Sequence, residues 1–268
     1  MTSYAAPLQD FSWKQTLRIY GAETKCEFLK ALRLPAYVIP TLTFPLVFYV
    51  MFGIVFGGKQ ALGSVTVAGY FLASYGAFGV IGASMFGFGV GVAAERGYGW
   101  LQLKRATPMP PLAYFAAKTI MSMLFSTILV LALFTLGYTL GGVRLPFTTW
   151  VNLGAMLVVG AIPFCALGLV IGYFAGPSSA PAQVNLLYLP MAFCSGLWIP
   201  LQFLPSALQH AAPYLPPYHL AQLALGIISR EPFGRAAFQH LAALTAFTVL
   251  FLLLARLGYN RDDVKMYG

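Results

Sequence analysis

Charged residues in this chain come in clusters, and long apolar runs separate them. No Lys, Arg, Asp or Glu lies between Arg144 and Arg230, and a second uncharged run extends from Lys59 to Glu95. The helices of a soluble domain need a solvated face, so they do not leave stretches of that length uncharged. A bilayer core instead asks for apolar runs of about 20 residues. On that criterion the chain predicts six spans, over 36–57, 65–92, 112–140, 148–174, 183–201 and 236–256. Pro40, Pro45, Pro163 and Pro190 fall inside them, where kinks are tolerated if neighbouring helices satisfy the freed carbonyls.

Two segments depart from this pattern. In residues 1–33, Trp13, Leu17, Tyr20, Phe28 and Leu32 interleave with Lys14, Arg18, Lys25, Lys30 and Arg33. Such interleaving predicts an amphipathic helix in the headgroup region, aromatics inward and cations toward phosphates. Residues 197–228 are too apolar for a solvated loop and too rich in proline for a span. Irregular backbone at membrane depth survives where protein or a water cavity covers it, so short re-entrant helices are expected here. Trp198, Phe203, Tyr214 and Tyr218 suit an interfacial aromatic belt. The expected organisation is an all-α membrane protein. A cytoplasmic interfacial segment, 1–34, precedes a single six-span domain, 35–268, with short re-entrant helices between the fifth and sixth spans.

Composition agrees: 59% of residues are hydrophobic and 9% charged, against roughly 25% charged in soluble domains. The net charge of +9 reads as a topology determinant rather than a nucleic-acid footprint, because Lys and Arg gather on the cytoplasmic side of membrane proteins. With the N-terminus inside, that side holds Lys14, Arg18, Lys25, Lys30, Arg33, Arg96, Lys104, Arg105, Lys118, Arg256, Arg261 and Lys265. The other keeps Lys59, Arg144, Arg230 and Arg235. The asymmetry places both termini in the cytoplasm. Glycines recur at close spacing in the second and fourth spans, as in Gly87/Gly91 and Gly168/Gly172/Gly176. This spacing lets helix backbones approach, within one subunit or between two.

The loop between the second and third spans runs from Glu95 to Pro111, with Trp100, Leu101 and Leu103 beside Lys104 and Arg105. A plain connector needs neither apolar residues nor three prolines, so a short docking helix over 98–105 is predicted. Chemistry is otherwise sparse. No span carries an acidic residue near its centre, where ion-coupled carriers hold theirs. Cys26, Cys165 and Cys194 lack metal-ligand spacing. His210, His219 and His240 read as solitary interfacial residues, so no metal site is expected. Gly53 to Lys59 imitates the start of a phosphate-binding loop, but Gln60 stands where Ser or Thr is required. The chain is therefore expected to have no catalytic or energy-converting site and to bind no cofactor.

These residues resemble ABC-2 type transporter permeases. Glu95-Arg96-Gly97, then Leu101, then Lys104-Arg105-Ala106-Thr107-Pro108 is similar to that family's cytoplasmic signature. Ser195-Gly196-Leu197-Trp198-Ile199-Pro200, then Leu204-Pro205 and Pro216 to Leu220, resembles its second hallmark. The resemblance implies the membrane subunit of an exporter, a homodimer or a heterodimer with a similar permease. A separate cytosolic ATPase that binds ATP–Mg would drive it, in the cell's inner (cytoplasmic) membrane. Glu95, Arg96, Gly97, Trp100, Leu101, Lys104, Arg105, Thr107 and Pro108 would form the coupling helix against that ATPase. Trp198, Pro200, Phe203, Pro205, Pro216 and Tyr218 would belong to an outer re-entrant gate. The sequence departs from the family at Gly97-Tyr98-Gly99, where a second acidic residue is common. Tyr70, Phe71, Tyr75 and Phe78 give the second span an aromatic, uncharged face. It suits a hydrophobic or amphiphilic cargo, and equally helix packing. The alternative reading is an ATP-independent channel or carrier.

Overall fold

The computed structural model describes residues 12–57, 60–63, 65–107 and 109–267, with side chains for all of these except Arg105, Pro111 and 261–267. Lys59 and Pro108 lie outside the described residues. The described residues are mostly helical. The amphipathic segment is one helix, α1 (Trp13–Leu32), whose N-terminus Ser12 and Gln15 close reciprocally as a capping box. Proline then starts α2 (Pro35–Phe48), which continues as a π-helical stretch to Val55. A two-residue hairpin, β1 (Ala61–Leu62) with β2 (Val65–Thr66), turns the chain. The Thr66 hydroxyl accepts the Gly69 N–H at 3.1 Å and opens α3 (Val67–Met85). After a π stretch at Phe86–Val90 the helix resumes as α4 (Gly91–Gly97).

The remaining elements are α5 (Trp100–Arg105), α6 (Pro111–Thr139), α7 (Phe147–Val159), α8 (Ile162–Phe174), α9 (Ala180–Cys194), α10 (Ser206–Ala211), α11 (Pro216–Ile228) and α12 (Arg235–Tyr267). Five helical segments are long and apolar enough to cross a membrane: Pro35–Val55, Val67–Gly97, Leu112–Thr139, Phe147–Phe174 and Arg235–Asn260. The protein is thus a multi-pass, all-α membrane protein. The segment expected as a fifth span, 183–201, differs. Its helix α9 has 15 residues, about 22 Å at the helical rise, against a hydrocarbon core of about 30 Å. Gly196, at φ 79°, turns the chain just after it. Between α9 and α12 lie the short helices α10 and α11, as expected.

The core is built around α3, nearly all of which is buried. It packs against α2, α6, α8 and α11, while α12 lies along α8 and α11. The glycine pattern acts within the subunit. A Cβ on Gly168 would sit 2.9 Å from that of Phe88 and 3.1 Å from the Met85 carbonyl, so α8 meets the π stretch backbone to backbone. His219 and His240, read as solitary, are paired: their Nδ1 atoms lie 2.9 Å apart, and His219 Nε2 lies 2.9 Å from the Pro213 carbonyl. A carbonyl only accepts, so Nε2 of His219 carries the hydrogen and its Nδ1 accepts from His240. This bond ties α11 to α12.

Candidate functional site at the α1–α5–α6 junction

Where α3–α4 emerges at the end of the bundle, four elements bring charged side chains together. Lys118, about two turns into α6, is 1% exposed; Glu27 of α1 and Glu95 of α4 are 3% and 2% exposed. Lys118 Nζ donates to Glu27 at 2.8 Å and to Glu95 at 3.0 Å. Lys30, one turn beyond Glu27, bridges the same two carboxylates, lying 3.2 Å from Glu27 and hydrogen-bonded to Glu95. Lys104 of α5 reaches Glu23 at 2.5 Å and Glu27 at 2.8 Å. The Tyr114 hydroxyl donates to Glu95 at 2.5 Å, and the Lys104 ammonium lies 4.6 Å over the Tyr114 ring. Glu23, Glu27 and Glu95 balance Lys30, Lys104 and Lys118. Buried charge is tolerable only when paired and hydrogen-bonded in this way.

The electrostatics follow from that geometry. Burial alone would push the Glu27 carboxyl up; Lys118, then Lys30, then the hydrogen bonds from Lys104 and Lys118 outweigh it and hold it at about 2. Burial would likewise lower Lys104, but the Glu23 and Glu27 carboxylates raise it above its ordinary value. A carboxyl depressed from 4.5 to about 2 stabilises the fold fully above its unfolded value, and that contribution fades as pH falls between the two. The melting temperature in detergent should therefore drop between about pH 4.5 and pH 2. Glu27→Gln should flatten that limb; an unaltered limb would remove Glu27 from the acid response.

The Glu95-Arg96-Gly97 run divides its labour. Arg96 donates to the carbonyls of Tyr173 and, at 2.5 Å, Ala175, where the end of α8 presents carbonyls without helical partners. Gly97 has no room for a side chain: a Cβ would lie 1.9 Å from Pro177 Cγ. Gly99 adopts φ 74° and turns the chain into α5. The glycines that stand in place of a second acidic residue thus have steric reasons.

The short helix α5 has two faces. Leu101 is buried in an apolar cluster with Phe88, Val92, Tyr114, Leu169 and Ala255, and Lys104 enters the charge cluster. Tyr98, Trp100 and Leu103 point outward, 69%, 51% and 69% exposed, and Thr107 is exposed too. The structure therefore gathers Glu95, Leu101 and Lys104 on the inner side of the loop and leaves Trp100 and Thr107 outside.

The family model for the ABC-2 type transporter matches residues 20–229. The chain belongs to the ABC-2 type transporter family. A Bacillus subtilis (strain 168) protein named "Putative transport permease YvfS" is 28% identical over 240 residues, 90% of this chain and 96% of that relative. Members of the ABC-2 type family are membrane components of transporters that work with a partner ATPase. In this ABC-2 type chain, α5 lies within the matched region.

The other anticipated residues are spread along the bundle. Phe71 and Tyr75 stack at 5.3 Å, and Phe78 stacks on Tyr188 at 4.8 Å. The Tyr70 hydroxyl donates to the Gly196 carbonyl at 3.0 Å. Phe71 and Tyr75 are closed in packing, whereas Phe78 also lines a cleft of about 360 Å³ with Tyr37, Pro45, Phe86 and Asn185, between α2, α3 and α9. Trp198 lies between Phe48 and Phe78, 5.8 Å from each. Pro200 and Pro216 are buried, Tyr218 is half-buried, and Phe203 and Pro205 are exposed. Sequence reasoning missed Glu23, Glu27 and Tyr114 and read Lys118 as a topology cation. The available signal was an ammonium inside an apolar helix, which demands a partner.

Proposed function

We propose that the chain is the transmembrane subunit of an ATP-binding cassette exporter in the cytoplasmic (inner) membrane, both termini on the cytosolic side. It works as a dimer, with itself or with a similar permease, and has no ATPase site of its own. A separate cytosolic ATPase, carrying ATP–Mg, docks on the exposed Tyr98–Trp100–Leu103 face of α5. The observation that carries this reading is the two-sidedness of α5: an apolar face left open, and a second face fastened to α1, α4 and α6. Force applied to the open face would pass through Leu101 and Lys104 into the spans. The apolar cleft at Phe78 and Tyr188 suits a hydrophobic or amphiphilic cargo, and outward movement follows from the family. Purification of the tagged chain in mild detergent should yield a stoichiometric P-loop ATPase. A homo-oligomer that transports with no ATPase present would overturn the proposal in favour of a channel or carrier.

A further inference from the structure

The opposite end of the bundle, remote from α5, carries a second polar pocket. A cavity of about 310 Å³ lies between the start of α3, the turn after α6 and the end of α11; Thr66, Arg144, Ser229 and Arg230 supply its polar lining. The end of α11 is unusual. The Glu231 N–H donates to the Gly226 carbonyl at 2.9 Å and the Arg230 N–H to that of Ile227 at 3.2 Å. This double closure forces residue 230 into the left-handed region, where glycine ordinarily stands because it has no Cβ. Here it is arginine, at φ 57°, the one non-glycine residue with positive φ among the described residues. A strained conformation retained at a pocket points to a task for its side chain.

Arg144 faces the same cavity. It donates to the Tyr138 carbonyl at 2.7 Å and lies 4.0 Å over the Tyr138 ring, which orients the guanidinium and leaves further N–H donors to use. Ion pairs among the described residues involve neither arginine. Glu231 does not line the cavity; its carboxylate turns toward Gly226. The Thr66 hydroxyl oxygen accepts from Gly69, so its O–H remains a donor. By the positive-inside rule, cations are the minority at this end, and these two stand at one cavity. The remaining lining includes the buried Val143 and Ile228 and the partly exposed Val65 and Leu145, the last two forming an apolar rim.

We propose that Arg144 and Arg230 form a binding site for the phosphate group of an anionic amphiphile whose chains stay in the adjoining lipid. Guanidinium groups match phosphate oxygens in geometry and charge. The rim gives the amphiphile an advantage over a free anion. The site goes beyond the transport reading and does not depend on it.

Calorimetry and thermal melting of the full chain in detergent test this, with dihexanoyl phosphatidic acid, inorganic phosphate and dihexanoyl phosphatidylcholine as probes. Phosphatidic acid should bind and raise the melting temperature, with the other two weaker by roughly tenfold or more. Arg230→Gly and Arg144→Gln should each weaken phosphatidic acid by about tenfold, the effect of losing a charge-assisted pair. Without ligand, Arg230→Gly should melt higher than the parent, because glycine meets no steric penalty at this φ. Unchanged affinity in Arg230→Gly overturns the site. A lower unliganded melting temperature would make Arg230 a structural cap and also overturn it. Inorganic phosphate binding as tightly as phosphatidic acid overturns the amphiphile as ligand.

Discussion

Lys118→Met should be among the most damaging single substitutions in this protein, lowering its stability by about 3–5 kcal/mol, the cost of removing one partner from a buried ion pair. Methionine fits the volume, so the loss comes from charge rather than from a cavity. Without Lys118, the Glu27 and Glu95 carboxylates face each other, both nearly fully buried, with only Lys30 bridging them. Lys25→Met, on the exposed surface of α1, should change little, because exposed charges contribute about 0–1 kcal/mol. The second test is rescue. Adding Glu95→Gln to Lys118→Met removes the orphaned charge and should restore part of the loss, since replacing whole buried pairs is far cheaper than breaking them. Melting curves in detergent for the three variants decide it. Equal effects of Lys118→Met and Lys25→Met, or no rescue by Glu95→Gln, would mean that the cluster does not hold the junction together.

The spans were legible because a bilayer imposes a simple rule on composition, and proline marks their starts: Pro35 and Pro111 each stand at the head of a helix. The helix α1 was legible from alternation of aromatics and cations, and the short helix α5 from apolar residues in an otherwise basic loop. Helix α9 was not. Its apolar run continues to Pro200, and only the left-handed turn at Gly196 shows that the helix has already ended. The charge cluster was hidden for a different reason. Lys118 lies 91 residues from Glu27 and 23 from Glu95, so no local spacing announces the meeting. What the sequence did display was half of it: Glu23 and Glu27 one turn apart with Lys30 following, a face of α1 unlike the rest. Treating Lys30, Lys104 and Lys118 as topology votes obscured their partners. The histidine pair escaped for the same reason, 21 residues apart on two helices.

Substitutions on the two faces of α5 should fail in two different ways. Trp100→Ala and Leu103→Asp alter residues that the protein itself leaves exposed, so the permease should fold and melt normally. Aromatic anchors at interfaces commonly carry 2 kcal/mol or more, so the ATPase should bind about thirtyfold more weakly and be lost on purification. Lys104→Met removes the tie between α5 and the Glu23–Glu27 face of α1 while leaving Trp100 and Leu103 in place. The ATPase should still co-purify, but ATP should no longer move the far end of the bundle. A single cysteine at Ser206, exposed at the head of α10, reports that movement once Cys26, Cys165 and Cys194 are replaced by serine. Its labelling rate should change with ATP in the parent and stay constant in Lys104→Met. If Lys104→Met instead loses the ATPase, the charge cluster is part of the docking surface rather than the link behind it. If Trp100→Ala and Leu103→Asp keep the ATPase bound with ATP-dependent labelling intact, α5 is not where it docks.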